Sequence, residues 1–186
     1  SFGRDAVSLF LEDPQLAKLH YAYLDVQDCD LARFKKMAVK MAVNARFIVF
    51  GTRSPGESAL CIKQEIAMLG GPHAHDYAVI GTKNFGWNNT AVMQLDPARR
   101  YGWRAIVKPM AVRSNRLALQ AFGPGTYVDL LAALGVGDDG RVRVFTPDHK
   151  LISFDQEHLS RAGAHYLASL IANHPALAAM RRASDH

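Results

Sequence analysis

Short runs of β-forming residues alternate with helical segments along this chain. Of all the features of the sequence, this alternation most limits the folds that the chain can adopt. Residues 47–50 (FIVF) and 77–80 (YAVI) are such runs, and each is followed by a glycine. Between them, residues 58–69 place apolar side chains at helical spacing before a Gly-Gly-Pro sequence ends the pattern. Because short apolar runs are typical of buried strands, this order predicts parallel strands with helices on both faces of the sheet.

The rest of the chain continues the alternation and fits one domain. Its 186 residues, 49% of them hydrophobic, suit a single buried core. We therefore expect an α/β fold over residues 1–186, a three-layer α/β/α domain with a mostly parallel sheet. The further elements predicted are helices over 5–12, 31–43 and 160–172 (the last with Ser160 as N-cap), a strand over 19–24, and weaker elements at 127–134 and 142–145.

Several classes of protein are excluded by the sequence. It has no repeat of roughly 20–50 residues, and no apolar run approaches the roughly 18–20 residues of a membrane-spanning helix. No glycine-rich nucleotide-binding motif follows a predicted strand. Lys and Arg number 22 against 17 Asp and Glu, a formal charge of +5. The basic residues are scattered along the chain, however, so we expect no nucleic-acid partner.

The chain has two cysteines, Cys29 and Cys61, without a CxxC pair. Its eight histidines lack the spacing of zinc ligands, so we expect no metal site and no cofactor. The two sulfurs either form one disulfide in an oxidising compartment or stay buried as thiols, and the sequence leaves both possibilities open.

An aspartate and a histidine three residues apart, Asp155 and His158, stand just before the predicted C-terminal helix. At this spacing the side chains can share one turn, so that the carboxylate accepts a hydrogen bond from one imidazole nitrogen. The aspartate then orients the ring and stabilises the imidazolium, while the histidine moves a proton. By itself, the same spacing also arises by chance, as a helix-capping acid beside an exposed histidine.

The sequence around this pair favours the catalytic interpretation. Residues 151–166 (LISFDQEHLSRAGAHY) resemble the final block of the SGNH (GDSL-type) hydrolase and acyltransferase superfamily, in particular its domains that modify bacterial polysaccharides. Residues 127–130 (YVDL) and 144–146 (VFT) resemble the approach to that block. The resemblance implies an SGNH-hydrolase-like (flavodoxin-like) fold and a catalytic triad of Ser, Asp and His.

The resemblance also gives a role to the first residue. The family's nucleophile is the serine of a Gly-Asp-Ser motif that ends the first strand, and this chain begins Ser-Phe-Gly-Arg-Asp before a helical segment. Ser1 then matches the nucleophile, Asp155 the orienting acid and His158 the general base, with the first strand expected upstream of Ser1. Two other roles for Ser1 stay open: N-cap of the first helix, or a nucleophile that uses its own α-amine as base.

The oxyanion hole matches the family less well than the triad. Where the family has a Gly-x-Asn-Asp type of block, residues 51–55 read Gly-Thr-Arg-Ser-Pro. Arg53 is a candidate replacement donor, with an ordinary surface arginine as the alternative. Asn84, beyond the next predicted strand, is a weaker candidate for the same donor or for substrate contact. Aromatic and amide side chains at 85–89 and 101–104 suit either sugar contacts or the packing of loops.

Together these features predict a serine esterase or O-acyltransferase. The expected substrate is an acyl ester, most simply an O-acetyl group, on a carbohydrate or a small molecule, and the reaction runs through an acyl-serine intermediate. A non-catalytic glycan-binding module on the same fold is the alternative. Esterase and transferase both remain open, as do a periplasmic, cell-envelope or cytoplasmic location and tethering to a membrane-bound partner or domain.

Overall fold

A parallel sheet lies at the centre of the computed structural model, which describes residues 21–25, 47–51, 55–71, 76–82, 89–156 and 158–182. The strands of these residues are β1 (Tyr21–Asp25), β2 (Phe47–Gly51), β3 (Asp76–Ile80), β4 (Arg104–Ile106), β5 (Tyr127–Val128) and β6 (Arg141–Arg143). The central sheet has the order β1-β2-β3-β5, with every neighbouring pair parallel. Strands β4 and β6 form a separate antiparallel ribbon.

From β2 onward, helices lie between successive described strands, and further helices follow β6. They are α1 (Ala59–Met68), α2 (Asn89–Met93), α3 (Pro97–Arg100), α4 (Pro109–Phe122), α5 (Leu130–Ala133), α6 (Arg161–Ile171) and α7 (Ala178–Arg182), with a 3-10 turn at Pro175–Leu177. None of the helices in this part of the chain is both long enough and apolar enough to cross a membrane.

The central sheet buries a separate core on each face. Successive side chains of a strand point to opposite faces, so Ile48 and Phe50 of β2 pack with α1 and α4, while Phe47 and Val49 pack with α6. All four side chains are almost completely buried. Helices therefore cover both faces of a parallel sheet, and the predicted α/β class is confirmed.

Short-range signals set the ends of several elements. The Ser160 hydroxyl oxygen accepts a hydrogen bond from the backbone N–H of Gly163 over 2.9 Å, so Ser160 is the N-cap of α6 as predicted. Helix α1 ends before Gly70 and Gly71, whose φ angles of 101° and 86° lie where glycine is favoured. Asp129 caps α5 by accepting from the N–H of Ala132 over 2.8 Å.

Most predicted elements that fall on described residues are present, with ends shifted by a few residues. Strands β1, β2 and β3 and helices α1 and α6 match predictions. The weaker region 127–134 is a two-residue strand followed by the short helix α5, and 142–145 begins with part of β6. The helices predicted over 5–12 and 31–43 lie outside the described residues.

Helix α4 is the largest element that the sequence pattern did not predict. Its buried residues are Ala111, Ser114 and Ala118, which are correctly spaced for one helical face but too small to give a strong apolar pattern. Proline in the first turn and Gly123, with φ 73°, after the last residue are its clearest sequence signals.

The order of the described central strands follows the chain without a reversal. A flavodoxin-like sheet has the order 2-1-3-4-5, in which the first strand lies between the second and the third. The described strands therefore form a parallel α/β sheet but do not include the reversal of that finer fold.

Candidate active site

Asp155 and His158 form a close pair in the turn before α6. Oδ2 of Asp155 lies 2.6 Å from Nδ1 of His158, and Oδ1 accepts a hydrogen bond from the backbone N–H of His158, also over 2.6 Å. Both carboxylate oxygens are therefore engaged by the same residue. The three-residue spacing predicted this contact, and we call the two residues the Asp155–His158 pair.

Hydrogen bonds, one of them from a buried side chain, fix the backbone of this turn. The carbonyl of His158 accepts hydrogen bonds from the N–H of Phe154 over 2.8 Å and from the hydroxyl of Ser153, whose side chain is fully buried. The N–H of Ser160 then donates to the carbonyl of Ile152 over 3.0 Å. The described residues 152–156 and 158–160 thus form a closed turn that presents the Asp155–His158 pair outward.

A close approach between α6 and the start of the turn fixes their relative position. A Cβ atom at Gly163 would lie 1.8 Å from the carbonyl oxygen of Ile152, far inside van der Waals contact. Only glycine permits this approach without displacement of the backbone. Gly163, in the SRAGAHY sequence, therefore allows the helix to position the Asp155–His158 pair, although glycine does not favour helix formation.

The turn lies at the edge of the central sheet where the parallel strands end. Helix α4 has 14 residues, about 21 Å, and its C-terminus leads directly into β5. Its N-terminus is therefore at the opposite edge, beyond the carboxyl ends of the strands. Lys108, the N-cap residue of α4, donates from Nζ to Oε1 of Gln156, which follows Asp155. Functional loops of open α/β sheets gather at this edge.

The arrangement suits the transfer of a proton. Because a carboxylate only accepts hydrogen bonds, Nδ1 of His158 carries the proton in the contact with Asp155. Nε2 is then the ring nitrogen that takes up a proton when the histidine acts as a base. The adjacent carboxylate stabilises the imidazolium that results. The side chains of His158 and Asp155 are 55% and 53% exposed, so the pair can be reached from solvent.

The other predicted site residues are not among those that the structure describes. Ser1, Arg53 and Asn84 lie in the segments 1–20, 52–54 and 83–88, outside the described ranges. Their roles as nucleophile and oxyanion donors stay predictions.

The aromatic residues at 101–104 contact the protein itself. The ring of Tyr101 stacks on His149 with centroids 4.0 Å apart and meets Phe145 edge-on at 5.2 Å. Trp103 is half-buried and packs against the core that includes α6. Packing of a loop therefore accounts for most of this group, and only part of Tyr101 faces solvent.

Two polar connections near the same edge were not predicted. Lys108 and Gln156 are 48 residues apart, so no local pattern links them. The hydroxyl of Tyr127 donates to Oδ1 of Asn115 over 2.6 Å, and Nδ2 of Asn115 donates to Oδ2 of Asp129 over 2.7 Å. Burial and the charge of Asp129 raise the pKa of Tyr127, so this phenol stays a neutral donor that joins α4 to the end of β5.

A buried carboxyl lies on α1, the helix that packs on the sheet face formed by Ile48 and Phe50. Glu65 of α1 is only 2% exposed, and its Oε2 has no hydrogen-bond partner. Burial raises its pKa to about 7. Its Oε1 lies 3.9 Å from Sγ of Cys61, which is disulfide-bonded. Cys29 is the only other cysteine of the chain. Cys61 is therefore not a buried free thiol, and Cys29 lies outside the described residues.

No group of three or more potential metal ligands occurs in the part of the chain that the structure describes. Comparison with known proteins gives no match to any protein-family model, curated protein or solved structure. The likeness of residues 151–166 to the SGNH superfamily therefore stays a prediction, and the functional argument depends on that sequence and on the geometry of the Asp155–His158 pair.

Proposed function

We propose that this chain is an SGNH-type serine esterase or O-acyltransferase that acts on acyl esters of carbohydrates. The observation that carries the proposal is the 2.6 Å contact between Oδ2 of Asp155 and Nδ1 of His158. It orients the imidazole as a general base requires, in a segment whose sequence resembles the family's final block. In this proposal Ser1 is the nucleophile.

The first half of the reaction forms an acyl-serine. The hydroxyl oxygen of Ser1 attacks the ester carbonyl carbon while Nε2 of His158 takes the hydroxyl proton. The proposed donors to the oxyanion are Arg53, Asn84 and backbone N–H groups at the start of the helix that the sequence predicts over 5–12. As the tetrahedral intermediate collapses, His158 returns the proton to the departing alkoxide, and the acyl group stays on Ser1.

The second half releases the acyl group. Water in an esterase, or a sugar hydroxyl in a transferase, attacks the acyl-serine carbonyl and gives its proton to Nε2 of His158. The proton then passes to the departing Ser1 oxygen, which restores the starting enzyme. The exposure of the pair leaves room for either acceptor.

The SGNH-like sheet is part of the proposal. Its finer strand order rests on the sequence resemblance alone, because β1 and β2 pair directly with each other along their full length and the described strands show no reversal. In this proposal Ser1 lies next to His158 at the carboxyl edge of the sheet.

Hydrolysis of a small aryl acetate tests the proposal. Ser1→Ala removes the nucleophile and His158→Ala removes the base, so each is expected to lower kcat/KM by about a thousandfold or more. Release of the phenol, followed by absorbance, measures the rate for each variant.

His165→Ala is the matched control, because His165 is an exposed histidine of the neighbouring helix α6. It is expected to keep the activity of the unaltered chain. Full activity in Ser1→Ala or His158→Ala would contradict the triad, and a glycan-binding module without catalysis would show no turnover in any variant.

A further inference from the structure

One face of the β4–β6 ribbon carries a concentration of positive charge. Arg104 pairs with Arg143 across the ribbon, and Ile106 pairs with Arg141. All four side chains are exposed, whereas Ala105 and Val142 between them are buried. Because side chains alternate along a strand, the three arginines share one face.

Lys108 extends this face toward the candidate active site. The N–H of Val107 donates to the carbonyl of Gly140 over 2.8 Å, so the ribbon pairing continues past Ile106. Val107 is buried, which places the half-buried Lys108 on the same face as Ile106. We call the face formed by Arg104, Ile106, Lys108, Arg141 and Arg143 the cationic ribbon.

The charges of the cationic ribbon are not neutralised by the described part of the chain. The arginines form no ion pair with any described carboxylate; Arg104 donates to the carbonyl of Gly135 over 2.8 Å, and Arg141 makes a weak contact with the carbonyl of Arg104. Asp139, in the turn before β6, instead accepts from the backbone N–H of Arg141 over 3.0 Å. Like charges directly opposite each other destabilise a ribbon, so folding alone does not explain the pair Arg104–Arg143.

The ribbon leads directly to the Asp155–His158 pair. Lys108 stands two residues, about 7 Å of extended chain, beyond Ile106. It contacts Gln156, the neighbour of Asp155. Phe154, on the other side of Asp155, is 63% exposed, and Ile106 is 61% exposed. Exposed apolar side chains therefore occur both in the cationic ribbon, at Ile106, and in the turn of the proposed base, at Phe154, and Lys108 links the two.

We propose that the cationic ribbon binds an anionic polysaccharide, one with carboxylate-bearing sugars, and guides its acyl esters to His158. This inference rests on the proposed function and names its substrate class. The positive charges of the cationic ribbon attract carboxylates, and the exposed Phe154 and Ile106 suit the apolar faces of sugar rings.

A glycan fits this face better than a nucleic acid does. Sites for single-stranded nucleic acid stack the bases on aromatic side chains that line a basic groove. The described residues of the cationic ribbon place an isoleucine between the cations instead of a row of aromatic side chains, and Phe154 adds a single ring beside the turn. Its location beside an acid–base pair also suits a substrate with ester bonds.

Direct binding of labelled polymers tests the inference. Polygalacturonate, neutral dextran and single-stranded oligothymidylate are titrated with the 186-residue chain, and fluorescence anisotropy is followed at several salt concentrations. We expect the polyuronate to bind more tightly than the other two polymers, with an affinity that falls as salt rises.

Variants locate the binding surface. Arg141→Gln with Arg143→Gln is expected to weaken polyuronate binding about tenfold. Arg113→Gln with Arg116→Gln, on the exposed face of α4, removes the same two charges and is expected to change it less than twofold. Replacement of Arg141 and Arg143 by lysine keeps the charges and is expected to retain most of the affinity.

Three results would overturn the inference: no preference for the polyuronate, an equal loss in the α4 control, or a loss in the lysine variant as large as in the glutamine variant. Tighter binding of oligothymidylate would assign the face to nucleic acid instead. Because binding is measured without turnover, its outcome is separate from that of the aryl acetate test. If the chain binds polyuronate but does not hydrolyse aryl acetate, the proposed esterase activity is wrong, whereas the proposed binding surface is supported.

Discussion

At the scale of single residues, Glu65 is a buried carboxyl whose charged form is disfavoured by its surroundings. It is buried against Cys61 with Oε2 unpartnered, and its pKa is raised from 4.5 to about 7. Between these pH values the folded chain binds more protons than the unfolded chain. The free energy of unfolding therefore falls as pH rises from about 4.5 through 7, by up to about 3 kcal/mol from this group alone.

Glu65→Gln is expected to remove that loss, because glutamine has the shape of the protonated acid and does not ionise. Urea unfolding at pH 5 and pH 8, without reductant, measures the difference. The variant should gain up to about 3 kcal/mol over the unaltered chain at pH 8 and little at pH 5. Asp138→Asn, in an exposed turn, is the control. An equal pH dependence in the unaltered chain and in Glu65→Gln would contradict this account.

The contacts of single residues also show which parts of the candidate site a sequence can predict. The Asp155–His158 pair was predictable because three residues of one turn bring the groups together. The contact of Lys108 with Gln156 was not, since it depends on where α4 begins. The raised pKa of Glu65 could not be predicted from the sequence either, because burial follows from packing and not from the residue type.

At the scale of elements, the junction between α6 and the 152–160 turn is the part that positions the base. Gly163 allows the helix to approach the carbonyl of Ile152, and Ser160 caps the helix at the same point. A larger residue at 163 has to push the helix away from the turn. The stability of this junction and the geometry of the Asp155–His158 pair are therefore coupled.

Gly163→Ala is expected to destabilise the chain by about 3 kcal/mol or more, since its Cβ would lie 1.8 Å from the carbonyl oxygen of Ile152. Gly125→Ala is the control, because no atom lies within 4 Å of a Cβ built there. Urea unfolding compares the two variants. Equal stability of Gly163→Ala and the unaltered chain would show that the close approach does not constrain the helix.

The same scale explains why α6 was predicted and α4 was not. Helix α6 buries large side chains, Leu167 and Ile171 among them, at helical spacing behind a strong cap. Helix α4 buries small residues, and its larger apolar side chains, such as Met110 and Leu119, are exposed. The apolar pattern of the sequence therefore predicts α6 but not α4.

At the scale of the whole molecule, the described strands and helices bring scattered charges to one face. The sequence shows a charge of +5 spread along the chain and no basic cluster. Folding places Arg104 opposite Arg143 on the β4–β6 ribbon and leads Lys108 to the turn of the proposed base. The sheet class was predictable from the alternation of elements, whereas this concentration of charge depends on antiparallel pairing between distant segments.

At this scale the proposed function requires that the Ser1 hydroxyl meets His158 at the carboxyl edge of the sheet. Labelling with a fluorophosphonate, followed by mass spectrometry of the digested chain, tests that claim most directly, because the reagent marks a serine whose proton is removed by a neighbouring base. We expect a single adduct on Ser1, formed in the unaltered chain and in His165→Ala but about a hundredfold more slowly in His158→Ala. An unlabelled Ser1, or labelling that does not depend on His158, would contradict it.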